Sequence, residues 1–165
     1  MKGHVTTLAE RQRAVAHWIA ASAPVPQLTL TDWSRSGLAM LPTGVQFAVV
    51  EMPGAGVRSA ARTDNVRLLD RYLARGLNRG PVFCYDAHDA YFALVPADAA
   101  RDWPLPEVRC LGLGQTAAVP RPGLTRDGGG RAFWAVPMSA PAMLCPARLV
   151  ANLIRAGRRS GVTCG

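Results

Sequence analysis

FAVVEMP (Phe47–Pro53), YFALVP (Tyr91–Pro96), TAAVP (Thr116–Pro120) and FWAVP (Phe133–Pro137) share one design. Each is a short run of apolar, β-branched or aromatic residues closed by proline. Such residues suit a pleated, half-buried strand. Proline has no N–H to give a ladder, so it ends the strand it follows. The four runs predict strands of one sheet whose ends line up with loops.

Working outward, PVFCY (Pro81–Tyr85) precedes the second run, with DAHDA (Asp86–Ala90) between them. That order reads as a β-hairpin. VRCLGLGQTAAVP, residues 108–120, reads as strand, turn, strand. RPGLTRDGGGRAFWAVP, residues 121–137, sets a glycine-rich loop between two strands. LPTGVQ leads into the first run, with a turn at Pro42 to Gly44. DAARDW, residues 98–103, reads as a short helical turn seated by Trp103 and stopped by Pro104.

Three segments have helical periodicity. Residues 5–22 place Leu8, Val15, Trp18 and Ile19 on one face. Thr6 or Thr7 can cap them, and Glu10 three residues after Thr7 completes a capping box. A proline-bearing link at Pro24 and Pro26 follows. In TLTDWSRSGL, residues 29–38, Asp32 or Ser34 can open a turn. The second helix, capped by Thr63 or Asp64, runs to Asn78 or Arg79 and stops at Gly80-Pro81. Val66, Leu69, Leu73 and Leu77 form its buried stripe. Arg67, Arg71, Arg75 and Arg79 recur every fourth residue, roughly opposite the leucines. The last helix spans residues 146–159, opens at Pro146 and buries Leu149, Val150, Leu153 and Ile154. Arg148, Arg155, Arg158 and Arg159 make this end basic, and no acid follows Asp127. The tail after it, SGVTCG, reads as frayed. Helices and strands mixed in this order predict an α+β fold, with helices packed on a mostly antiparallel mixed sheet.

The 165 residues suit one domain, 1–165, with a core of its own. A hydrophobic content of 49% argues against disorder. No apolar stretch is long enough for a membrane span. Lys2 and His4 have no apolar core behind them, so the N-terminus does not read as a secretion signal. The net charge is +8, and Lys2 is the one lysine among 19 basic residues. This balance points to an anionic partner, and neither half of the chain is a basic tail. Cys84, Cys110, Cys145 and Cys164 form no CxxC pair, and His4, His17 and His88 complete no zinc pattern. Cys84, Cys110 and Cys145 lie in or beside apolar segments and are expected as buried free thiols, with Cys164 exposed. A reducing cytoplasm fits this reading.

Candidate chemistry is thin. Asp86, His88 and Asp89 form the densest polar cluster and could bind a divalent ion or move a proton, but aspartate is common in hairpin turns anyway. Glu51 lies inside an apolar strand. It is a surface position, an arginine's ion-pair partner, or a remnant metal ligand. GLGQT and RDGGGR match no nucleotide-binding pattern. Amides in the loop from Arg126 to Arg131, with its flanking arginines, could touch phosphate. No serine lies in a nucleophile-elbow context. Of Tyr91, Phe92, Phe133 and Trp134, one of each neighbouring pair should be core. The other could stack a base on an open sheet.

Over residues 33–137 the strand series resembles the small domain of bifunctional DNA primase/polymerases of the archaeo-eukaryotic primase kind. It is most similar to the shortened forms of filamentous actinobacteria. TGVQFAVVEMP looks like the family's strand for its first acidic metal ligands. DAHDAYFALVP looks like the segment with its histidine and following aromatic strand. LGLGQTAAVPRPG and GRAFWAVP look like its later strands. The resemblance implies two acids one residue apart in the first strand, where this chain has Glu51-Met52-Pro53. It implies a histidine directly before the aromatic pair, whereas His88 is one place off. It therefore implies a catalytically degenerate member, with Glu51, Asp86, His88 and Asp89 as vestigial metal or catalytic positions. No metal, cofactor or catalytic residue is assigned.

The expectation is a cytoplasmic, non-catalytic accessory or regulatory domain that binds DNA, RNA or a protein partner. Its contact residues would be Arg67, Arg71, Arg75 and Arg79, then Arg155, Arg158 and Arg159. The alternatives are a protein–protein module without a nucleic-acid role, and a metal-dependent nucleotidyl transferase built on Glu51, Asp86 and His88.

Overall fold

The hairpin forms where its sequence predicts. In the computed structural model, which describes residues 6–162, β3 (Val82–Tyr85) and β4 (Ala90–Pro96) pair antiparallel. β2 (Phe47–Pro53) lies along the whole of β4, from Phe47 opposite Pro96 to Pro53 opposite Ala90. The short β5 (Cys110–Leu111) flanks β2, and β7 (Ala132–Val136) flanks β3. The sheet runs β5-β2-β4-β3-β7.

The third proline-ended run departs from the single-sheet expectation. β6 (Thr116–Pro120) pairs with β1 (Leu38–Pro42), a strand unmarked in the sequence reading, and the two make a separate ribbon. Gly114, at φ +85, lies in the turn that takes the chain from β5 out of the main sheet and into this ribbon. Among the described residues every strand pairing is antiparallel, and with five α-helices there the chain is α+β.

α1 (Leu8–Ala20) is capped as its sequence predicts. The Thr7 N–H donates to Glu10 Oε2 at 2.6 Å, and the Glu10 N–H donates to Thr7 Oγ1 at 3.2 Å. Residues 26–36, read as a link and turn, are instead α2 (Pro26–Ser36). Pro26 occupies the first turn, where a missing N–H costs nothing, so it starts this helix rather than forbidding it. Asp32 and Ser34 therefore sit mid-helix. Thr29 and Trp33, four apart, form its buried side, and the Trp33 indole donates to the Val119 carbonyl at 2.9 Å.

α3 (Gly54–Ala61) follows β2 directly and has no counterpart in the sequence reading. Its glycines are poor helix formers, but Gly56 lies against Gly157 of the last helix, at a contact where a methyl on Gly157 would overlap the Gly56 backbone. α4 (Val66–Gly76) is shorter than expected, and its cap is Asn65 rather than Thr63 or Asp64. Asn65 Oδ1 accepts from the Arg67 and Leu68 amides at 3.1 and 3.2 Å. Leu69, Leu73 and Leu77 are buried as predicted, whereas Val66 in the first turn is 43% exposed. α5 (Ala147–Val162) follows Pro146 and buries Val150, Leu153 and Ile154, with Leu149 half-buried.

The sheet is covered on both sides. Ala48, Val50, Met52, Cys84, Tyr91 and Phe133 face the layer of α3, α4 and α5. Phe47, Val49, Phe83, Phe92, Leu94 and Trp134 face α1, α2 and the β1-β6 ribbon. The alternation of strand side chains feeds two cores from one sheet. Phe83 stacks on Phe92 at 5.1 Å and meets Trp134 edge-on at 5.5 Å. Tyr91, Phe92, Phe133 and Trp134 are therefore all buried, and none is free to stack a base. No helix among the described residues is long and apolar enough to cross a membrane.

Candidate functional site

The DAHD turn lies at one end of the sheet, above a cleft of about 200 Å³ between the β3-β4 hairpin and the starts of α3 and α4. Asp86, His88 and Asp89 line it together with Arg58 and Arg126. Within the cluster it is Asp89 that has a charged partner. Arg58 of α3 makes a two-pronged pair with Asp89, at 2.7 and 2.8 Å. The hydrogen bond from Arg58 holds the Asp89 carboxyl below its ordinary range, and the same bond holds the Arg58 guanidinium above its own. The Gly54 N–H donates to the Asp89 carbonyl at 2.9 Å, so the turn is fastened to the first residue of α3. His88 packs edge-on against Tyr85 at 5.7 Å.

Arg126 closes the other wall. It reaches Asp70 of α4 at 2.8 and 3.3 Å, and its guanidinium lies 4.6 Å from the centre of the Phe133 ring. Burial works against its charge, but the Asp70 carboxylate outweighs that and raises its pKa. Behind it, burial pushes the Cys84 thiol up to about 12, and burial also raises Tyr91. A thiol so placed is inert near neutral pH.

Glu51 does not join this cluster. It projects from β2 on the side of Phe47 and Val49, opposite to Tyr91 and Cys84, and does not line the cleft. Its partner is Arg109, at 3.7 Å, just before β5. Of the three sequence readings, the ion pair is the one the geometry provides. Among the described residues no group of three His, Cys, Asp or Glu side chains could hold a metal. The set Glu51, Asp86 and His88 is thus not gathered into one site: Asp86 and His88 line the cleft at the hairpin turn, and Glu51 lies in β2 with Arg109.

The arginine row is formed as predicted over α4 and broken at its end. Arg67, Arg71 and Arg75 are exposed on the helix. Arg79 is exposed too, but it lies beyond the helix in a left-handed conformation at φ +60, next to Asn78 at φ +53. Arg67 pairs with Asp127 at 3.5 Å, both largely exposed. Arg71, Arg75 and Arg79 have no ion pair among the described residues. On α5, Arg155, Arg158 and Arg159 are exposed. Arg155 donates to Asn152 at 3.4 Å and Arg158 pairs with Glu107. Both helices lie on the same side of the sheet, so the two arginine sets share one layer.

Arg58, Asp70 and Arg109 carry these pairings, and none stands out in the sequence. Each is a lone charge in an ordinary segment, and its partner is dozens of residues away. Cys84 and Cys145 are buried free thiols as expected, while Cys110 is half-buried with its pKa raised by burial to about 11. Residues 160–162, expected as the start of a frayed tail, instead continue α5, and the expectations for Cys164 and the rest of SGVTCG lie outside the described residues. Comparison with models of known protein families, with curated proteins and with solved structures finds no match.

Proposed function

We propose that this chain is a non-catalytic, cytoplasmic accessory domain that binds the phosphate backbone of nucleic acid through its helical layer. One observation carries the reading: Arg67, Arg71 and Arg75 stand exposed in a row on α4, with Arg155, Arg158 and Arg159 on α5 of the same layer. Like charges spaced four apart cost a few tenths of a kcal/mol each. Among the described residues, acids form ion pairs with Arg67 and Arg158 of this set. Arginine's planar fork suits phosphate oxygens, and contacts of this kind position a protein without reading sequence. With Tyr91, Phe92, Phe133 and Trp134 buried, the reading rests on backbone contact.

The free thiols support a reducing compartment. The separation of Glu51 from Asp86 and His88 supports an accessory rather than a metal-dependent transferase role. A degenerate kinship with primase/polymerase domains rests on the order of the proline-ended runs and on the departures at Glu51 and His88.

The test is a salt titration of binding to a labelled duplex and a labelled single strand by fluorescence anisotropy. Affinity should fall steeply with salt. Replacing Arg71, Arg75 and Arg79 together with alanine should flatten the salt slope by about two to three. No binding at low salt would overturn the reading in favour of a protein partner.

A further inference from the structure

A second basic site lies on the far side of the sheet and shares no residue with the helical-layer arginines. α2, the start of β1 and the loop from Arg121 to Ala132 enclose an open cleft of about 570 Å³, within the range of small-ligand sites. Among the described residues, no aspartate or glutamate lines it. Arg121 and Arg131 do, both exposed and neither in an ion pair among the described residues.

Their backbones are held firmly while their side chains are left unengaged. The Arg121 N–H donates to the Gly37 carbonyl at 2.9 Å, and its own carbonyl accepts from the Trp134 indole at 3.1 Å. The Arg131 carbonyl accepts from the Asp86 N–H at 2.7 Å. Between them the chain passes from the short 3-10 turn Arg126–Gly128 to Gly129 in the left-handed region, at φ +68 and ψ 14. A right-handed residue followed by a left-handed one turns successive N–H groups toward a common point, an arrangement that cradles anions. The amides of Gly129 and Gly130 have no acceptor among the described residues, and a Cβ on Gly129 would meet open space. Asp127 of the loop pairs with Arg67 and Asp70 of α4 with Arg126. Leu38 and Leu124 supply an apolar wall beside this cationic rim.

We propose that this cleft binds the phosphate of a nucleotide-sized phosphomonoester, with Arg121 and Arg131 as its two forks and the Gly129 and Gly130 amides as its cradle. The bulk of the ligand lies along Leu38 and Leu124. Guanidinium pairs and backbone amides together provide charge-assisted donors for all the phosphate oxygens.

Isothermal titration of the full chain with adenosine 5′-monophosphate, adenosine and inorganic phosphate tests this. The monophosphate should bind, with adenosine and inorganic phosphate each at least tenfold weaker. Arg121→Ala and Arg131→Ala should each weaken the monophosphate about tenfold, and Arg131→Lys by less, because it keeps the charge and loses the fork. Arg71→Ala with Arg75→Ala should leave it within twofold, which separates this site from the helical-layer surface. Both cleft arginines are exposed, so far-ultraviolet circular dichroism should show all variants folded. Absence of binding, equal binding of adenosine, or loss confined to the Arg71 and Arg75 variant would overturn the proposal. Inorganic phosphate binding as tightly as the monophosphate would overturn the ligand size.

Discussion

Asp89 shows how a residue that reads as part of a possible metal cluster can be a structural clasp. Both of its oxygens are taken by Arg58, and its carbonyl by the Gly54 amide. The pair is partly exposed, at 37% for the arginine and 64% for the aspartate, so solvent screens it. Asp89→Asn should therefore destabilise the protein by less than about 1 kcal/mol in urea melts near neutral pH. The folded carboxyl titrates below its ordinary 3.8. Its contribution is thus complete above that pH and fades as pH falls through the lower folded value. The difference between the Asn variant and the parent should shrink toward zero on acidification. A difference that grows instead would show that Asp89 is not charged in the fold. The sequence marked Asp89 as a turn residue but could not mark Arg58, because the two meet only when α3 packs beside the hairpin.

Among the elements, α3 was hidden and α4 was evident, for one reason. α4 carries its own signals, with leucines at Leu69, Leu73 and Leu77 for its buried face. α3 begins on Gly54-Ala55-Gly56 and has little intrinsic helicity. It is held by its fit to α5, where Gly157 abuts the Gly56 carbonyl. This contact is asymmetric. A methyl on Gly157 would run into backbone, whereas one on Gly56 would meet open space. Gly157→Ala should cost about 1–3 kcal/mol, the usual range for forced overpacking. Gly56→Ala should be neutral or stabilising by up to about 1 kcal/mol, through helix propensity. Chemical denaturation of the two variants side by side measures this, and equal effects would refute the close helix approach. α2 was missed for a related reason. Pro24 and Pro26 read as breakers, but Pro24 precedes the helix and Pro26 stands in its first turn, the one turn that tolerates proline.

At the level of the molecule, one sheet serves two cores, so neither side can melt without exposing the other. Phe83 lies in this sheet, fully buried, in ring contact with Tyr85, Phe92 and Trp134. Phe83→Ala should cost about 3–5 kcal/mol. Tryptophan fluorescence and far-ultraviolet circular dichroism should still give coincident unfolding curves. Trp33 and Trp134 report the α1-α2 side and Trp103 the helical layer, so separated curves would mean independent cores. Much of this architecture is written locally. Strand period, prolines that end strands, the Thr7 capping box and the leucine stripe of α4 act within a few residues, and they specified an α+β fold and an exposed arginine row without reference to distant parts. The remainder depends on partners far apart in the chain. β6 left the main sheet because β1 offered it a ladder. Glu51 met Arg109 rather than the hairpin turn because β5 paired beside β2. Arg121 and Arg131 came to share a cleft only when Gly37, Trp134 and Asp86 fixed their backbones. Periodicity reports what a segment buries, whereas pairing across dozens of residues is settled by packing, which no short window of sequence contains.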